Sequence, residues 1–303
     1  MRFGLTLPHF GPGAGPDALA GTAMLAEGHG FESLWTLDRL LAAVDPRTPY
    51  AGTPDGRLPH VMHDVLEPLS VLSYLAGITT RVRLCTGVLV FAFRSPVLLG
   101  RMGTTIDVLS GGRFGCGLGL GWSEDEYLAS GVGFADKGGR FDDYLEALLK
   151  VWTEDTPGHD GTYYSVPRSH IGPRPHQRPH PPLWIGGESD AALRRAAKYG
   201  TGWYASGYLP FETLTQRITT VLGYVTAAGK DPETYDIGVW APFSFTREAT
   251  STALVGPPEH LAAGVRAYEA AGVTELVLAA GMTPGSNPIE DIPRFAREVM
   301  APA

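Results

Sequence analysis

Four side chains that could take part in chemistry stand directly after short apolar or glycine-rich runs, where strands would end. They are His9, the adjacent pair Asp38 and Arg39, and Trp122. A histidine or a carboxylate can transfer a proton, and an aromatic ring can stack on a planar ligand. An arginine can hold an anion but cannot donate a proton at useful pH. These four residues are our candidates for catalysis.

Each candidate also has a structural interpretation. His9 could cap the end of its strand, Asp38 could form a turn with Arg39, and Trp122 could be an aromatic wall of its loop. The residue types do not decide between the two kinds of role, and both remain open.

The run Gly186-Gly187-Glu188-Ser189 is a candidate anion-binding turn. An apolar run ends at Gly186, and a helical pattern starts near Ser189. Backbone N–H groups at the start of a helix bind phosphates, glycine allows close approach, and serine can cap the helix or contact the anion. A tight turn between a strand and a helix needs the same residues, so a purely structural turn is the alternative. Gly87, inside another apolar run, indicates a bulge or a close backbone approach.

Motifs for metal or nucleophilic catalysis are not found in the sequence. Four histidines of one proline-rich stretch lack metal-ligand spacing: His159, His170, His176 and His180. Cys85 and Cys116 fall inside predicted strands and are expected to be core thiols. There is no nucleophile elbow, Walker loop or Rossmann glycine pattern. We therefore predict neither a metal site nor a hydrolase nucleophile.

Strand and helix patterns alternate along the whole chain. Strands are predicted at residues 2–8, 33–36, 83–90, 113–118, 182–186, 202–205, 236–244 and 275–279. Apolar residues recur at helical spacing between them, and one such helix starts at Pro96 and ends before Gly111. Eight strands alternating with eight helices predict an α/β fold, a single (β/α)8 TIM barrel over residues 1–303. Barrel sites lie at the carboxyl ends of the strands, so the candidates above should meet at one face.

Three insertions depart from a minimal barrel, at residues 40–64, 122–139 and 154–180. The first two follow strands and should lie over the catalytic face, where we expect them to cover a substrate. The third contains a short hairpin around residues 161–164 and could be either a lid or packed surface.

Composition favours one enzyme domain that acts on small molecules. The chain is 44% hydrophobic and carries a net charge of −8, with acidic and basic residues scattered. This argues against nucleic acid or an anionic membrane as a partner. No apolar run reaches the length of a membrane span, and the start of the chain shows no signal-peptide pattern. We expect a cytoplasmic protein.

Several motifs together resemble one known family. They are residues 3–8, Gly30-Phe31-Glu32-Ser33-Leu34-Trp35 leading to Asp38, residues 81–122, Pro182-Leu183-Trp184-Ile185-Gly186-Gly187, and Gly200-Thr201-Gly202-Trp203. In order and spacing they resemble the luciferase-like oxidoreductases, a flavin and deazaflavin superfamily built on a TIM barrel. Asp38-Arg39-Leu40-Leu41 and residues 45–50 are most similar to the branch that uses coenzyme F420, a deazaflavin.

The resemblance implies a cofactor site. It implies a cis peptide bond in the strand of Thr86, Gly87 and Val88, where a bulge props the cofactor ring. It also implies that two turns hold the cofactor tail: residues 186–189, and the later turn with Tyr204, Ser206 and Gly207. The polyanionic tail of F420 would need basic groups, for which Arg168 and Arg174 are candidates.

Two positions differ from the family pattern. Many relatives have Asp-His where this chain has Asp38-Arg39, so the imidazole acid or base is absent there. Dehydrogenases of the F420 branch that oxidise a sugar phosphate have a glutamate where this chain has Trp122. The general acid of those enzymes is therefore missing.

The expected function is hydride transfer through coenzyme F420 to or from a small organic substrate. The closest alternative is a monooxygenase that uses reduced FMN, and more distant ones are a flavin-binding protein without turnover and a barrel hydrolase. The resemblance also implies a homodimer that pairs through barrel helices. Helical segments 66–78 and 96–109 carry apolar residues on more than one face, which fits such pairing.

Overall fold

The computed structural model describes residues 1–53, 55–281 and 287–300 and confirms the predicted barrel. Its eight parallel strands are β1 (Arg2–Thr6), β2 (Ser33–Thr36), β3 (Arg83–Thr86), β4 (Phe114–Gly119), β5 (Leu183–Gly186), β6 (Gly202–Ser206), β7 (Asp236–Pro242) and β8 (Glu275–Ala279). Each strand pairs with the next, and β8 pairs with β1, so the sheet closes. After residues 87 and 88, β3 resumes at Leu89–Val90, still paired with β4.

Helices surround the barrel. Within the described residues they are α1 (Pro16–Gly28), α2 (Pro68–Ala76), α3 (Pro96–Leu109), α4 (Glu124–Ala129), α5 (Lys137–Thr153), α6 (Asp190–Tyr199), α7 (Phe211–Ala227), α8 (Pro258–Ala270) and α9 (Pro288–Phe295). Proline opens α3, where its missing N–H costs no hydrogen bond, and the Ser95 hydroxyl accepts the Leu98 N–H. Ser189 caps α6 in the same way, through the Ala192 N–H.

Aromatic side chains fill the inside of the barrel, and charged ones close its amino-terminal end. Trp35 packs against Trp184 and stacks on Tyr204 with ring centroids 4.8 Å apart. At the amino end of β8, Glu275 is fully buried and ion-paired with Arg83. Burial of a carboxylate is tolerated there because a guanidinium compensates its charge. This end is therefore packed, and the carboxyl ends of the strands are the expected place for a ligand site.

The first two insertions pack on each other above those carboxyl ends. The Arg47 N–H donates to Asp125 Oδ2 over 2.9 Å, and the Glu124 N–H donates to Thr48 Oγ1 over 3.2 Å. The 40–64 insertion is also tied to the segment after β1, where the Gly11 N–H donates to the Asp64 carbonyl over 2.7 Å. This arrangement is what the sequence pattern predicted for the two segments.

The third insertion is packed surface and does not reach the mouth of the barrel. Its predicted hairpin is present, with His159–Asp160 antiparallel to Ser165–Val166. Asp143 of α5 accepts hydrogen bonds from the hairpin turn. Gln177 donates to Asp107 of α3 and to the Phe114 carbonyl, at the amino end of β4. The alternative of a lid over the site is thereby removed.

None of the helices in the described ranges is long and apolar enough to cross a membrane.

Candidate cofactor and substrate site

His9 is completely buried at the carboxyl end of β1. The Leu37 N–H donates to its Nε2 over 3.0 Å, and its Nδ1 lies 2.9 Å from the Leu7 carbonyl oxygen. These two contacts fit a neutral ring that carries its proton on Nδ1. Burial lowers the pKa of His9, and hydrogen bonds to the Leu7 and Leu37 carbonyls oppose this effect by raising the pKa. The ring therefore joins the ends of β1 and β2 as an uncharged link.

Asp38 is buried at the carboxyl end of β2 and joins it to β3. Its Oδ2 accepts the Val90 N–H over 3.1 Å and the Arg94 guanidinium over 2.7 Å. Arg94 also contacts Glu67 Oε1 over 2.6 Å. Burial raises the pKa of Asp38, and the opposing effect comes first from Arg94. The carboxylate thus holds Leu89–Val90, the second part of β3, next to the Gly87–Val88 bulge.

Arg39 lies beneath the 40–64 insertion, between a carboxylate and an aromatic ring. Its guanidinium is 2.9 Å from Glu126 Oε2 and 4.9 Å above the centre of the Trp122 ring. Glu126 is nearly inaccessible and its Oε1 also accepts the Leu40 N–H over 2.8 Å. Burial raises the pKa of Glu126, opposed by Arg39. The first turn of α4 therefore holds the start of the insertion.

A small cavity of about 220 Å³ opens at the carboxyl ends of β3, β5 and β6. Glycine forms much of its wall, and the expected cis peptide bond joins Gly87 to Val88 there. A β-carbon on Gly87 would lie 2.7 Å from Tyr204 Oη, so no larger residue fits. The cavity is lined by Gly87, Val88, Gly186, Gly187, Glu188, Tyr204, Ala205, Ser206 and Trp240.

One wall residue of this cavity has an unsatisfied polar atom. Tyr204 Oη is buried, and no hydrogen-bond partner for it exists among the described residues. A buried hydroxyl without a partner is costly, and a ligand atom is one way to satisfy it. Thr86 lies below the cavity, where its hydroxyl contacts the Gly117 carbonyl over 3.0 Å and accepts the Gly117 N–H over 2.8 Å. Thr86 thus supports the wall and does not line it.

The turn between β5 and α6 forms one rim of the cavity. Gly187 has φ +111°, a conformation that favours glycine, and its carbonyl accepts the Trp203 indole N–H over 2.8 Å. The Ser189 hydroxyl caps α6. Glu188 is half-buried, and burial raises the pKa of its carboxyl group, opposed by the Ser206 N–H and by Arg217. An acid therefore stands beside the start of α6, where the sequence predicts a phosphate.

A longer groove of about 530 Å³ continues from the cavity through Glu188 and Ser206. Its far side is Tyr50 and Gly52 of the 40–64 insertion, opposite Tyr208. Close to it, the Gly207 N–H donates to the Trp240 carbonyl over 2.5 Å, and a β-carbon on Gly207 would lie 2.4 Å from the same oxygen. The insertion therefore covers the groove beside the predicted cofactor-binding turns.

A third space, of about 460 Å³, lies on the other side of Tyr50 and Trp122, whose ring centres are 5.3 Å apart. We call it the mouth cavity; its lining includes Arg39, Val44, Arg57, His60, His63 and Trp122. The two aromatic rings stand between this cavity and the groove.

The structure brings most of the predicted site residues together. Gly87, Val88, Gly186, Gly187, Glu188, Tyr204 and Ser206 share the small cavity, with Ser189 and Gly207 beside it, while Arg39 and Trp122 share the mouth cavity. His9 and Asp38 are buried in the rim. Arg168 and Arg174 are far from the mouth, because they pair with Thr156 and Asp155 after the end of α5.

Four residues at the mouth were not among the predicted site residues: Tyr50, Arg57, Glu126 and Trp240. Trp240 lies within the predicted strand 236–244, toward the carboxyl end where barrel sites form, and this position was a usable signal. Tyr50 and Arg57 lie in an insertion without periodicity, and only its folding over the barrel places them. Glu126 lies four residues after Trp122, about one helical turn further along the chain. Nothing in the sequence indicates that it pairs with Arg39.

Other kinds of site are not apparent in the part of the chain that the structure describes. No group of three or more histidine, cysteine, aspartate or glutamate side chains could hold a metal ion there. Cys85 and Cys116 are buried free thiols, as expected, and burial raises the pKa of Cys116 to about 12.

Comparisons with known proteins agree with this fold and show the family. Residues 1–251 match the family described as luciferase-like monooxygenase. The chain is 30% identical over 289 residues to an uncharacterized protein of Mycobacterium tuberculosis, covering 92% of this chain and 93% of that protein. Monooxygenase RslO1 from Streptomyces bottropensis has a similar structure, with a TM-score of 0.82, 21% identity and 99% of both chains covered. The coenzyme F420-dependent tetrahydromethanopterin reductase from Methanopyrus kandleri gives a TM-score of 0.79 at 16% identity, with coverage of 99% of this chain and 98% of that one.

Proposed function

Because the chain belongs to the luciferase-like monooxygenase family, a family of oxidoreductases, we propose that it transfers hydride between coenzyme F420 and a small organic substrate. The observation that supports this most is the glycine-walled cavity at the carboxyl ends of β3, β5 and β6. Small residues in its wall leave room for a ring close to the backbone, and the groove beyond Ser206 gives a path for a tail.

The residues present fit a flavin-like group. A β-carbon on Gly87 would fill the space next to Tyr204 Oη, and that hydroxyl lacks a protein partner among the described residues. Trp240 forms another side, and its Nε1–H donates to Thr6 Oγ1 over 3.2 Å, which fixes the ring. These walls would hold the cofactor ring, and the N–H groups near Ser189 and Ser206 would face its tail.

The bound deazaflavin would supply a ring carbon that accepts or donates hydride, and the protein would supply orientation and electrostatics. We propose different roles for the four catalytic candidates. Arg39 and Trp122 face the mouth cavity and act on the substrate. His9 and Asp38 act by positioning, because their polar atoms bind the backbone of Leu7, Leu37 and Val90 and the Arg94 guanidinium.

Use of FMN by a monooxygenase remains the second candidate, and one observation favours it. The tail of F420 carries several negative charges, whereas three arginines near the mouth are already paired with acids: Arg39 with Glu126, Arg94 with Asp38, and Arg47 with Glu124. FMN has a single phosphate and requires fewer cations. The Asp38–Tyr50 stretch, similar to the F420 branch, favours the deazaflavin.

Titration of the purified protein with each cofactor distinguishes the two. We expect F420 to bind at micromolar concentration or tighter, measured by its fluorescence and absorption, and FMN to bind more weakly. Tight binding of FMN without binding of F420 would replace our proposal with the monooxygenase. A protein that binds neither cofactor would contradict both.

A further inference from the structure

We propose that the mouth cavity binds the substrate as an organic anion, a carboxylate attached to an apolar body. This inference deepens the proposed function, on which it rests, because it names the substrate class. It is carried by the charges and surfaces around a space of about 460 Å³ next to Trp122.

Arg57 is the cation that this proposal depends on. It is exposed and lines the cavity, and its guanidinium has no ion pair among the residues that the structure describes. Its backbone N–H, not its side chain, donates to Asp55 Oδ1 over 3.1 Å. The other arginines nearby are engaged, as Arg39 is with Glu126 and Arg47 is with Glu124. Arg57 is therefore available to bind a carboxylate, and its planar donors suit one.

Further donors lie around the same space. His60 and His63 line it with their rings stacked, centroids 4.5 Å apart. Arg39 Nε is buried and has no hydrogen-bond partner among the described residues. An acid also faces the cavity, since Asp55 is part of its lining. Glu126 offsets the charge of Arg39, whereas Asp55, which is exposed to solvent, only partly offsets the charge of Arg57.

The rest of the lining is apolar and suits a carbon skeleton. Ala42, Ala43 and Val44 form one side, and Leu58 forms another. Val44 is 87% exposed, so a ligand in this cavity could bury apolar surface against it. A volume in this range holds a small organic molecule. A donor group at one end and apolar surface along the side are what a carboxylate with an apolar body requires.

Tyr50 and Trp122 lie between this site and the proposed cofactor site. Tyr50 lines the groove that continues from the cofactor cavity, and its ring packs on Trp122, which lines the mouth cavity. A substrate held by Arg57 would therefore lie on the opposite side of these rings from the groove. Hydride transfer then requires the two rings to move aside.

Equilibrium dialysis with two probes of the same shape tests the proposal. The probes are 4-nitrobenzoate and its uncharged analogue 4-nitrobenzamide, applied to the full chain with and without cofactor. We expect the carboxylate to bind at least tenfold more tightly than the amide, which is about 1.4 kcal/mol. Arg57→Gln should bring the ratio of the two affinities close to one. Arg47→Gln is the matched control, because Arg47 belongs to the same insertion but does not line the cavity.

Equal binding of the two probes, no binding of 4-nitrobenzoate at millimolar concentration, or an unchanged ratio in Arg57→Gln would each overturn the proposal. Cofactor affinity measured on the same samples separates it from the proposed function. If cofactor binds and the probes show no charge preference, the substrate inference alone fails. If the preference is present but neither F420 nor FMN binds, the proposed function fails and the anion site stands.

Discussion

Gly186 and Gly187 at the mouth of this barrel differ in how well their substitution would test the proposed cofactor site. Gly187 has φ +111°, so any side chain there strains the backbone whether or not a phosphate binds. Gly186 has no such restriction, and a β-carbon there would lie 3.3 Å and 3.4 Å from the two Val88 methyl groups. Gly186 is therefore the better position for testing the cofactor site.

We expect Gly186→Val to weaken cofactor binding by more than tenfold, or about 1.4 kcal/mol, because the side chain projects into the small cavity. Val88 must move by a few tenths of an ångström to admit the new side chain, so we expect the melting temperature to fall as well. Gly13→Val is the control, since a β-carbon on Gly13 meets nothing within 4 Å. Affinity equal to that of the wild type in a folded Gly186→Val protein would place the cofactor elsewhere.

His9 should make the protein sensitive to acid. Burial lowers its pKa, so the folded ring stays neutral while the unfolded chain takes up a proton near pH 6.5. The contribution of neutral His9 to the free energy of unfolding is therefore fully present above pH 6.5. As the pH falls below 6.5, this contribution decreases by up to about 1.4 kcal/mol per pH unit. His9→Gln should be less stable at pH 8 and should lose less stability between pH 7.5 and pH 5.5. Parallel melting curves of the two proteins over that range would be inconsistent with this role.

At the scale of elements, α4 and the 40–64 insertion depend on each other. Glu126 binds Arg39 and the Leu40 N–H from a nearly inaccessible position, whereas Glu124 makes an exposed contact with Arg47. Removing one partner of a buried ion pair leaves the other charge uncompensated, at a cost of about 3–5 kcal/mol. Exposed pairs contribute about 0–1 kcal/mol.

Glu126→Gln should therefore loosen the insertion, and Glu124→Gln should not. Limited digestion with trypsin measures this, because the insertion contains Arg47 and Arg57 as cleavage sites. We expect cleavage at these two arginines to be at least fivefold faster in Glu126→Gln than in the wild type. Equal rates in all three proteins would show that other contacts hold the insertion.

At the scale of the whole molecule, α2 and α3 carry apolar side chains that the fold leaves exposed. Tyr74 is 43% exposed and Leu98 is 50% exposed, and the adjoining Leu66 and Ile78 are 40% and 38% exposed. Adjacent apolar side chains on packed helices are typical of surfaces that a partner covers. Of the apolar residues behind the homodimer prediction, Leu66 and Leu98 stay exposed, whereas Leu69, Leu72 and Leu99 are buried within the chain.

Light scattering at micromolar concentration should give about twice the chain mass of 32.4 kDa. Leu98→Glu should shift the protein toward the monomer, because it would bury a charge in the interface. Ile289→Glu should not, since Ile289 is 75% exposed on α9 and lies outside the predicted interface. A monomeric wild type would remove the prediction.

The sequence alone determined the eight strands, the barrel and the glycine turns that border the small cavity. These features depend on local periodicity and on residues such as Gly87 and Gly186, whose conformational freedom and small size act over a few positions. Only the tertiary structure decided which side chains meet across the mouth. Arg39 meets Glu126, Asp38 meets Arg94, and the third insertion packs at the amino end of β4, because chain closure brings together segments that are far apart in sequence. Burial also favours the neutral form of His9, because removing an imidazole from water disfavours its charged form.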